Sequence, residues 1–478
     1  MPRYFTALSS GEYNGEKGPE KEGSAMSDRT LISDFTEGSI SRQLIRFATP
    51  LFLSSLLQII YNTVDMVIVG QKLGQTGLSA VAVGGDITNF LTFFAMGISN
   101  AGQIIISQYV GSGQHSKLGK FIATMFTTLL SCAMGISVVC LLLRQWLLQL
   151  MNTPAAAYEG ALAYSTVCIA GLVFIYGYNV TSAILRGMGD SRHPFIFISI
   201  AAVLNIVLDI LFVLVLPLGC MGAALATVIS QAVSFLLSAR FLYTKRDTFN
   251  LQMNLSFFLE VDRSMLGNLL KLGLPMAIKS ASIQFSKLFV NSWINSYGVS
   301  VSAFAGIANK VNSISTLVSN ATNTAGSSIV GQNIGAKRYD RVPKIIATIA
   351  AFTLSLATLL SALVALFPQQ VFGIFTSEAD VLRIGYQYVP IAALIFFGSS
   401  SRSPMNALIN GSGNHKINFV TAILDGIVMR IGLSLLFGLA LGYGYMGFWL
   451  GDALAGFTPV FIGIIFFLSG KWKKTAID

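Results

Sequence analysis

The sequence predicts an all-α polytopic membrane protein with twelve transmembrane helices. These form two six-helix bundles, which are related by a parallel pseudo-two-fold axis along the membrane normal. Three observations lead to this fold class. The composition is strongly apolar, long hydrophobic stretches recur along the chain, and motifs of the first half return in the second half at a constant spacing.

The composition indicates the environment of the chain. Of its 478 residues, 53% are hydrophobic and only 11% are charged, and the mean hydropathy is +0.67. Soluble domains contain about 25% charged residues. The sequence is therefore that of a membrane protein rather than of a soluble domain.

The hydrophobic stretches predict the individual helices. A hydrocarbon core of about 30 Å needs about 20 apolar residues in one helix. Stretches of this kind are centred near residues 56, 92, 130, 172, 205, 231, 281, 316, 355, 395, 428 and 458. They are too long for the strands of a membrane barrel, and a spanning helix satisfies its own backbone hydrogen bonds. Twelve helices are therefore predicted.

The distribution of basic residues predicts the orientation. Loops after odd-numbered helices contain little beyond Lys72 and Arg144, whereas loops after even-numbered helices and the C-terminal tail are basic. Under the positive-inside rule both termini are cytoplasmic, and the cell membrane is the predicted location. The same bias accounts for the net charge of +10, so no nucleic-acid partner is predicted. The basic residues are Lys117, Lys120, Arg186, Arg192, Lys245, Arg246, Lys337, Arg338, Arg341, Lys344, Lys416, Lys473 and Lys474.

Internal symmetry is the strongest organisational signal. Gly111 and Gly335 are 224 residues apart, and so are Gly187 and Gly411. Because four pairs of motifs follow one order at one spacing, the chain is predicted to contain two copies of a six-helix unit. The pairs are SQYVGSG (107–113) with GQNIGAK (331–337), RGMGD (186–190) with NGSGN (410–414), GCMGAALA (219–226) with GYMGFWLG (444–451), and IRFATP (45–50) with LKLGLP (270–275).

The repeat also predicts the domain boundaries. Six is an even number, so both halves start on the same side of the membrane and enclose a central cleft. The predicted segments are a polar cytoplasmic N-terminal tail (1–39), an N-lobe (40–247), a cytoplasmic linker (248–264), a C-lobe (265–470) and a cytoplasmic C-terminal tail (471–478).

Polar residues inside the N-lobe helices form the first candidate site. Asp65 lies near the middle of the first helix, where a carboxylate costs about 2.5–3.5 kcal/mol on insertion scales. Asn205 and Asp209 share one face of the fifth helix, and Thr227 lies in the sixth. Gln58, Tyr61 or Asn62, and Asp65 form one polar stripe on the first helix.

Two facing carboxylates in a low dielectric do not both stay ionised without a cation. They share a proton, or they bind Na⁺ together with the amide and the hydroxyl oxygens. The predicted ion-coupling set, which is also a possible Na⁺ site, is Asp65, Asn205, Asp209 and Thr227. The alternative interpretation is a hydrogen-bonded packing cluster that never exchanges an ion.

The C-lobe has mostly basic residues at membrane depth. They are Lys279, Lys287, Lys310, Arg402 and Arg430, and Asp425 is predicted to pair with a nearby base. Buried pairing or snorkelling is favoured for Lys279 and Lys310, whereas Lys287 and Arg402 are predicted to face the cleft. The candidates for the substrate cleft are Gln58, Tyr61, Asn62, Gln284, Lys287 and Arg402.

These motifs resemble the multidrug and toxic compound extrusion (MATE) family, and the DinF-like branch fits best. The resemblance spans about residues 40–470 and rests on YNTVDMVIVGQKLG, SQYVGSG, LRGMGD, LNIVLD, GAALATVISQ and GQNIGAK. It implies a two-lobe antiporter that exports organic, cationic or amphipathic compounds in exchange for H⁺ or Na⁺ by alternating access. In that branch the cation site consists of residues that match Asp65, Asn205, Asp209 and Thr227.

The sequence departs from the other well-known branch of that family, which has functional acids in the seventh and tenth helices. Here the seventh helix contains PMAIKSASIQFSK, and the tenth contains Arg402. A coupling site in the second lobe is therefore not implied. A basic second wall also weakens the expectation of a cationic substrate.

Two other functions remain as alternatives. A flippase for a lipid-linked saccharide or another anionic headgroup would use Lys287, Lys310, Arg402 and Arg430 to hold phosphate, but it leaves the acidic N-lobe cluster unexplained. A membrane-embedded enzyme is disfavoured, because the histidines lie in loops far from the deep carboxylates. The sequence thus predicts no catalytic residues and no cofactor beyond the coupling ion. The predicted partners are a small-molecule substrate and the lipid bilayer, and the chain is predicted to act as a monomer.

Overall fold

A computed structural model describes residues 33–246 and 261–477. Within these ranges the chain is almost wholly helical and contains no β-strand, which confirms the predicted all-α class. Most of the predicted N-terminal tail and linker lie outside the described residues. The long helices are α1 and α2 (residues 40–73 and 75–111 of the broken helix Ile40–Gly111), α3 (His115–Leu150), α4 (Tyr158–Ala170 and Leu172–Gly187), α5 (Arg192–Val215), α6 (Gly219–Thr244), α7 (Arg263–Asn295), α8 (Val299–Gly335), α9 (Val342–Leu366), α10 (Ala379–Gly411), α11 (His415–Ala440) and α12 (Gly444–Leu468), and a short helix, Pro368–Gly373, lies between α9 and α10.

The twelve helices agree with the predicted number of membrane crossings. In the described ranges, eight helices are long and apolar enough to span a membrane, and the bent α4 makes a ninth. That count treats α1 and α2 as one helix, although Gly74 breaks them apart at φ 64° and ψ −158°, a conformation that glycine adopts at little cost. It also omits α7 and α8, which are long enough but contain many polar residues.

The internal repeat is present in space as well as in sequence. A Cβ atom on Gly111 would lie 2.0 Å from the carbonyl oxygen of Gln332, and a Cβ atom on Gly335 would lie 2.3 Å from that of Gln108. Gln108 and Gln332 are themselves 224 residues apart, so the two contacts are equivalent. Only glycine permits this approach of the two lobes, which are therefore in direct backbone contact at one end of the molecule.

This end of the molecule is called the closed end, and it is defined by Gly111, Gly187, Gly335 and Gly411. Gly187 and Gly411 make equivalent contacts, each within its own lobe. A Cβ atom on Gly187 would lie 2.8 Å from the backbone of Gln103, and one on Gly411 would lie 2.8 Å from the backbone of Ser327.

The lobes exchange the first halves of two helices. Leu44 and Phe47 of α1 are buried in a hydrophobic core with residues of α8, α9 and α10 from the other half. In the reciprocal arrangement, Leu269 and Leu272 of α7 are buried in the main core of the N-lobe. A change in the packing of α1 or α7 therefore acts on both lobes.

Both described ends of the chain pack against the closed end. The backbone N–H of Phe35 donates to Gln332 Oε1 (2.9 Å), and the N–H of Ala476 donates to Gln108 Oε1 (2.8 Å). Phe35 and Trp472 are each only 4% exposed. The segments that the sequence assigns to polar tails therefore fold onto the transmembrane bundle where they are described, because each contains a large apolar anchor.

Candidate coupling site and substrate cavity

Helices α1, α5 and α6 bring the four predicted coupling residues into one region of the N-lobe. Asp65, Asn205 and Asp209 are 8%, 2% and 0% exposed. Asp65 and Asp209 are close enough to interact electrostatically. Asn205 and Thr227 line one small cavity from facing helices.

The polar atoms of this site lack protein partners. Among the described residues, one carboxylate oxygen of Asp65, both carboxylate oxygens of Asp209 and both polar side-chain atoms of Asn205 are buried without a hydrogen bond. An ionised carboxylate in such surroundings costs several kcal/mol unless it is neutralised. The Thr227 hydroxyl donates to the carbonyl oxygen of Ala223 (3.1 Å), so its lone pairs remain available to a ligand. Hard cations prefer these oxygen donors, and a proton on either carboxylate would also relieve the cost.

The small cavity beside these atoms has a volume of about 10 Å³, close to the space of one water-sized sphere. Its polar lining consists of Tyr61, Asn205, Thr227, Ser230 and Gln231. Tyr61, which was predicted to line the substrate cleft, instead lines this small cavity beside the candidate coupling residues Asn205 and Thr227. The sequence pattern located its face on the first helix but not its depth.

The helix geometry changes next to this site. Helix α5 is α-helical to Asp209 and continues as a π-helix over Ile210–Val215. Helix α11 has a π-helix at Leu436–Ala440, which is the equivalent place in the repeat, and another at Leu424–Met429. π-Helical turns are rare and often mark functional sites.

A second, larger cavity of about 550 Å³ lies between the two lobes. Four of the predicted cleft residues line it, namely Gln58, Gln284, Lys287 and Arg402. Asn62 and Lys310 are exposed but do not line it. For Lys310 this corrects the alternative in which it holds an anionic headgroup beside Lys287 and Arg402.

The lining of the central cavity is basic and hydrophilic. Its acidic member is Asp452, and its aromatic member is Tyr178. Amides, hydroxyls and a few apolar side chains make up the rest of the wall. Its basic members are Arg186, Lys279, Lys287, Arg402 and Arg430.

Most of these cations are not neutralised by an acid. The Arg186 guanidinium donates to Gln103 Oε1 (2.8 Å), and Lys279 Nζ donates to Asn406 Oδ1 (2.7 Å), both neutral acceptors. Lys287 and Arg402 form neither a hydrogen bond nor an ion pair with the residues that the structure describes. Their charge is therefore directed into the cavity.

Arg430 is the exception, because two carboxylates flank it. It forms an ion pair with Asp425 (3.1 Å) and another with Asp452, and it is 2% exposed. The pairing of Asp425 with a base was predicted, whereas the part of Asp452 was missed. The repeat contains the signal that would have identified it, because Asp452 follows Thr227 by 225 residues.

The same spacing relates Arg430 to Asn205. The C-lobe thus has a guanidinium between two acids at the place that is equivalent to the N-lobe site. In the N-lobe, Asp65 and Asp209 interact electrostatically, and one oxygen of Asp65 and both oxygens of Asp209 have no partner in the described part of the protein.

Comparison with known proteins agrees with this architecture. The MatE family model matches residues 50–211 and again residues 275–436, a spacing of 225. YpnP of Bacillus subtilis, a probable multidrug resistance protein, is 29% identical over 440 residues, which cover 92% of this chain and 97% of that protein. A MOP superfamily transporter from Pyrococcus furiosus superposes on this chain with a TM-score of 0.84 and 23% sequence identity. A multidrug resistance MATE family transporter in an outward-facing conformation superposes with a TM-score of 0.83 and 23% sequence identity. Each covers 92% of this chain and 98% of its own. At these identities the solved structures support the fold alone.

Proposed function

The chain belongs to the MatE family of membrane transporters, and we propose that it is a secondary active antiporter of the DinF-like type. In this proposal a monomer exports a small organic substrate through the central cavity in exchange for H⁺ or Na⁺. The observation that carries the proposal is the pair of buried N-lobe carboxylates, Asp65 and Asp209, because one oxygen of Asp65 and both oxygens of Asp209 are buried without a protein partner. The name of the relative YpnP supports export as the direction of transport.

The contrast between the lobes supports a coupling role over a packing role. A packing cluster would be expected to pair its acids with a base, as Arg430 pairs with Asp425 and Asp452 in the C-lobe, where one oxygen of Asp425 and Nε of Arg430 are still left without a partner. The N-lobe atoms remain unsatisfied until an ion or a proton joins them. Neutralisation at Asp65 would change the packing of α1, whose first half is buried in the other lobe.

The basic loops support the orientation. Lys117, Arg192, Lys337 and Lys416 lie at or just beyond the closed end of the bundle, so the positive-inside rule assigns that end to the cytoplasm. The cavity would then face the outside of the cell, and both termini would be cytoplasmic. One positive charge that enters down an inside-negative potential of 100 mV contributes about 2.3 kcal/mol.

Transport in proteoliposomes with an imposed pH or Na⁺ gradient tests the proposal. Asp65→Asn keeps the size and the hydrogen-bonding capacity of the side chain, but it removes the titratable charge, so gradient-driven export should be lost. Asp209→Asn should act similarly, and the double variant should be no worse than either one, because both carboxylates hold one ion. Asp86→Asn is the matched control, because Asp86 is an exposed carboxylate of α2 outside the cluster.

Thr227→Val distinguishes the two ions. It should impair a Na⁺-driven transporter strongly and an H⁺-driven one weakly, because the hydroxyl is a metal ligand but not a titrating group. If Asp65→Asn exports substrate at the rate of Asp86→Asn, at equal protein levels, the coupling role is wrong and the packing interpretation replaces it.

A further inference from the structure

We propose that the substrate is a hydroxyl-rich organic anion, and that Lys287 and Arg402 bind its carboxylate or phosphate group in the central cavity. This inference rests on the proposed function, because it takes the cavity between the lobes as the transport path. It replaces the cationic substrate that the family resemblance implies. The argument uses the charge, the hydrogen-bonding capacity and the volume of the cavity.

Charge favours an anion. Five basic side chains line the cavity, and the two carboxylates that pair with Arg430, Asp425 and Asp452, offset at most two of these charges. Arg186 and Lys279 have neutral hydrogen-bond partners, and Lys287 and Arg402 have none among the described residues. Positive charges that line one concave wall raise the local concentration of anions and repel cations. Their effect is greatest in a cavity that the surrounding protein and membrane keep at low dielectric.

Geometry assigns the anionic group to Lys287 and Arg402. Both side chains line the cavity, and their N–H groups are not used elsewhere in the described protein. A guanidinium presents a planar fork that matches carboxylate and phosphate oxygens. Lys287, which lines the same cavity, adds a point charge for the same ligand.

The remaining lining disfavours a flat aromatic cation. Such a ligand is stabilised by carboxylates or by aromatic faces, but Asp452 is already paired and Tyr178 is the aromatic side chain of the wall. The neutral polar wall fits a ligand with several hydroxyl groups, which can form hydrogen bonds with its amides. An apolar ligand would displace water from these amides without replacing the lost hydrogen bonds, and this lowers its affinity. The amides of the wall include Gln58, Asn100, Asn179, Gln284, Asn320 and Asn323.

The volume sets the size of the ligand. A cavity of about 550 Å³ lies in the usual range for drug-sized molecules. It has room for a disaccharide that bears one phosphate. The chemistry is the same for a free sugar phosphate and for the headgroup of a phosphorylated saccharide lipid.

Equilibrium binding to the full-length protein in detergent tests the substrate class. The probes are trehalose 6-phosphate, its uncharged counterpart trehalose, and the aromatic cation ethidium. Trehalose 6-phosphate should bind at least about tenfold more tightly than trehalose or ethidium, because charge-assisted hydrogen bonds account for differences of that size. Tighter binding of ethidium than of trehalose 6-phosphate would overturn the proposal.

Variants test the assignment of the two residues. Lys287→Gln and Arg402→Gln should each weaken binding of trehalose 6-phosphate by about tenfold or more, and Lys287→Arg should retain it. Lys310→Gln is the matched control, because Lys310 is an exposed lysine of the same lobe outside the cavity. If both Gln variants bind like Lys310→Gln, the anion site is refuted. Should a Gln variant fail to fold, Lys287→Met and Arg402→Met also remove the charge and provide the same comparison.

A transport experiment separates the two sources of the anionic group. Proteoliposomes are loaded with trehalose 6-phosphate in one arm and contain fluorescent phosphatidylglycerol in the other. Release of the sugar phosphate identifies a free anion, and exchange of the lipid between leaflets identifies a headgroup; either result supports the proposal. Asp65→Asn should still bind trehalose 6-phosphate at equilibrium, so a failure of coupling and a failure of the anion site give different results.

Discussion

Replacement of Gly111 by alanine should open the closed end of the molecule. The added Cβ atom would lie 2.0 Å from the carbonyl oxygen of Gln332, whereas ordinary contact begins near 3.4 Å. The obstacle is backbone of the other lobe, so no side-chain rotation relieves it. The two lobes must therefore part locally by about 1 Å or more.

The size of the effect follows from this overlap. Overpacking of a well-packed interface costs about 1–3 kcal/mol, which corresponds to a shift of about 5- to 150-fold in the equilibrium between two states. Gly335→Ala should act in the same way, because its Cβ atom would lie 2.3 Å from the backbone of Gln108. Once the lobes have parted, the second substitution meets less resistance. The double variant should therefore fall short of the sum of the single effects.

Double electron–electron resonance measures the separation directly. Spin labels at the exposed positions Lys117 and Lys344 report on the two lobes near the closed end, in a background without the four native cysteines. Gly111→Ala should increase the population at longer distance. Gly306→Ala is the matched control, since its Cβ atom would meet no atom within 4 Å. Identical distance distributions for the two variants would refute the reasoning.

Three further predictions follow from the structure. Arg430→Leu should lower the unfolding midpoint in detergent and cost about 3–5 kcal/mol, because it leaves the buried carboxylate of Asp425 and the partly buried one of Asp452 unpaired; unchanged melting would contradict the ion-pair network. The backbone N–H of Met265 and the ammonium of Lys120 (3.1 Å from the carboxylate) lower the pKa of Asp262. The ionised carboxylate therefore stabilises the folded protein above the ordinary carboxyl pKa, and this stabilisation is lost as the pH falls through the pKa of Asp262 in the folded state. Asp262→Asn should therefore be less stable than wild type at pH 7 and equal to it in acid, as thermal unfolding across pH would measure. Tags in the 248–264 linker and after residue 478 should both be inaccessible to membrane-impermeant reagents that are added to intact cells. Surface labelling of either tag would contradict the orientation.

The fold could be predicted largely from the sequence, because long apolar segments and a repeat at a spacing of 224–225 are signals that tertiary structure does not alter. Hydropathy alone is insufficient for α7 and α8. In α7, for example, polar residues such as Lys279 and Gln284 reduce the mean hydropathy of the helix, and these residues line the cavity rather than face lipid. The repeat identifies both helices regardless, since each has a counterpart in the N-lobe.

The candidate sites were predictable in part. The periodicity of a helix assigns a residue to a face, but it does not give depth along the axis or the neighbouring helix. Tyr61 was therefore assigned to the wrong cavity, and Lys310 was grouped with residues that it does not accompany. The packing of Phe35 against Gln332 was missed because the surrounding segment is polar, and its single apolar anchor is informative only in three dimensions.

The guanidinium of Arg430 has a consequence for stoichiometry. It is covalently attached at the place where the other half of the repeat has Asn205, so it cannot dissociate during a cycle, and the C-lobe keeps one state of occupancy throughout. Under the proposed coupling role, only the half with Asp65 and Asp209 would exchange a cation with the surroundings. Among the described residues, the number of ions per substrate would then be limited to what one pair of carboxylates can hold, although the scaffold is built from two copies of the same unit.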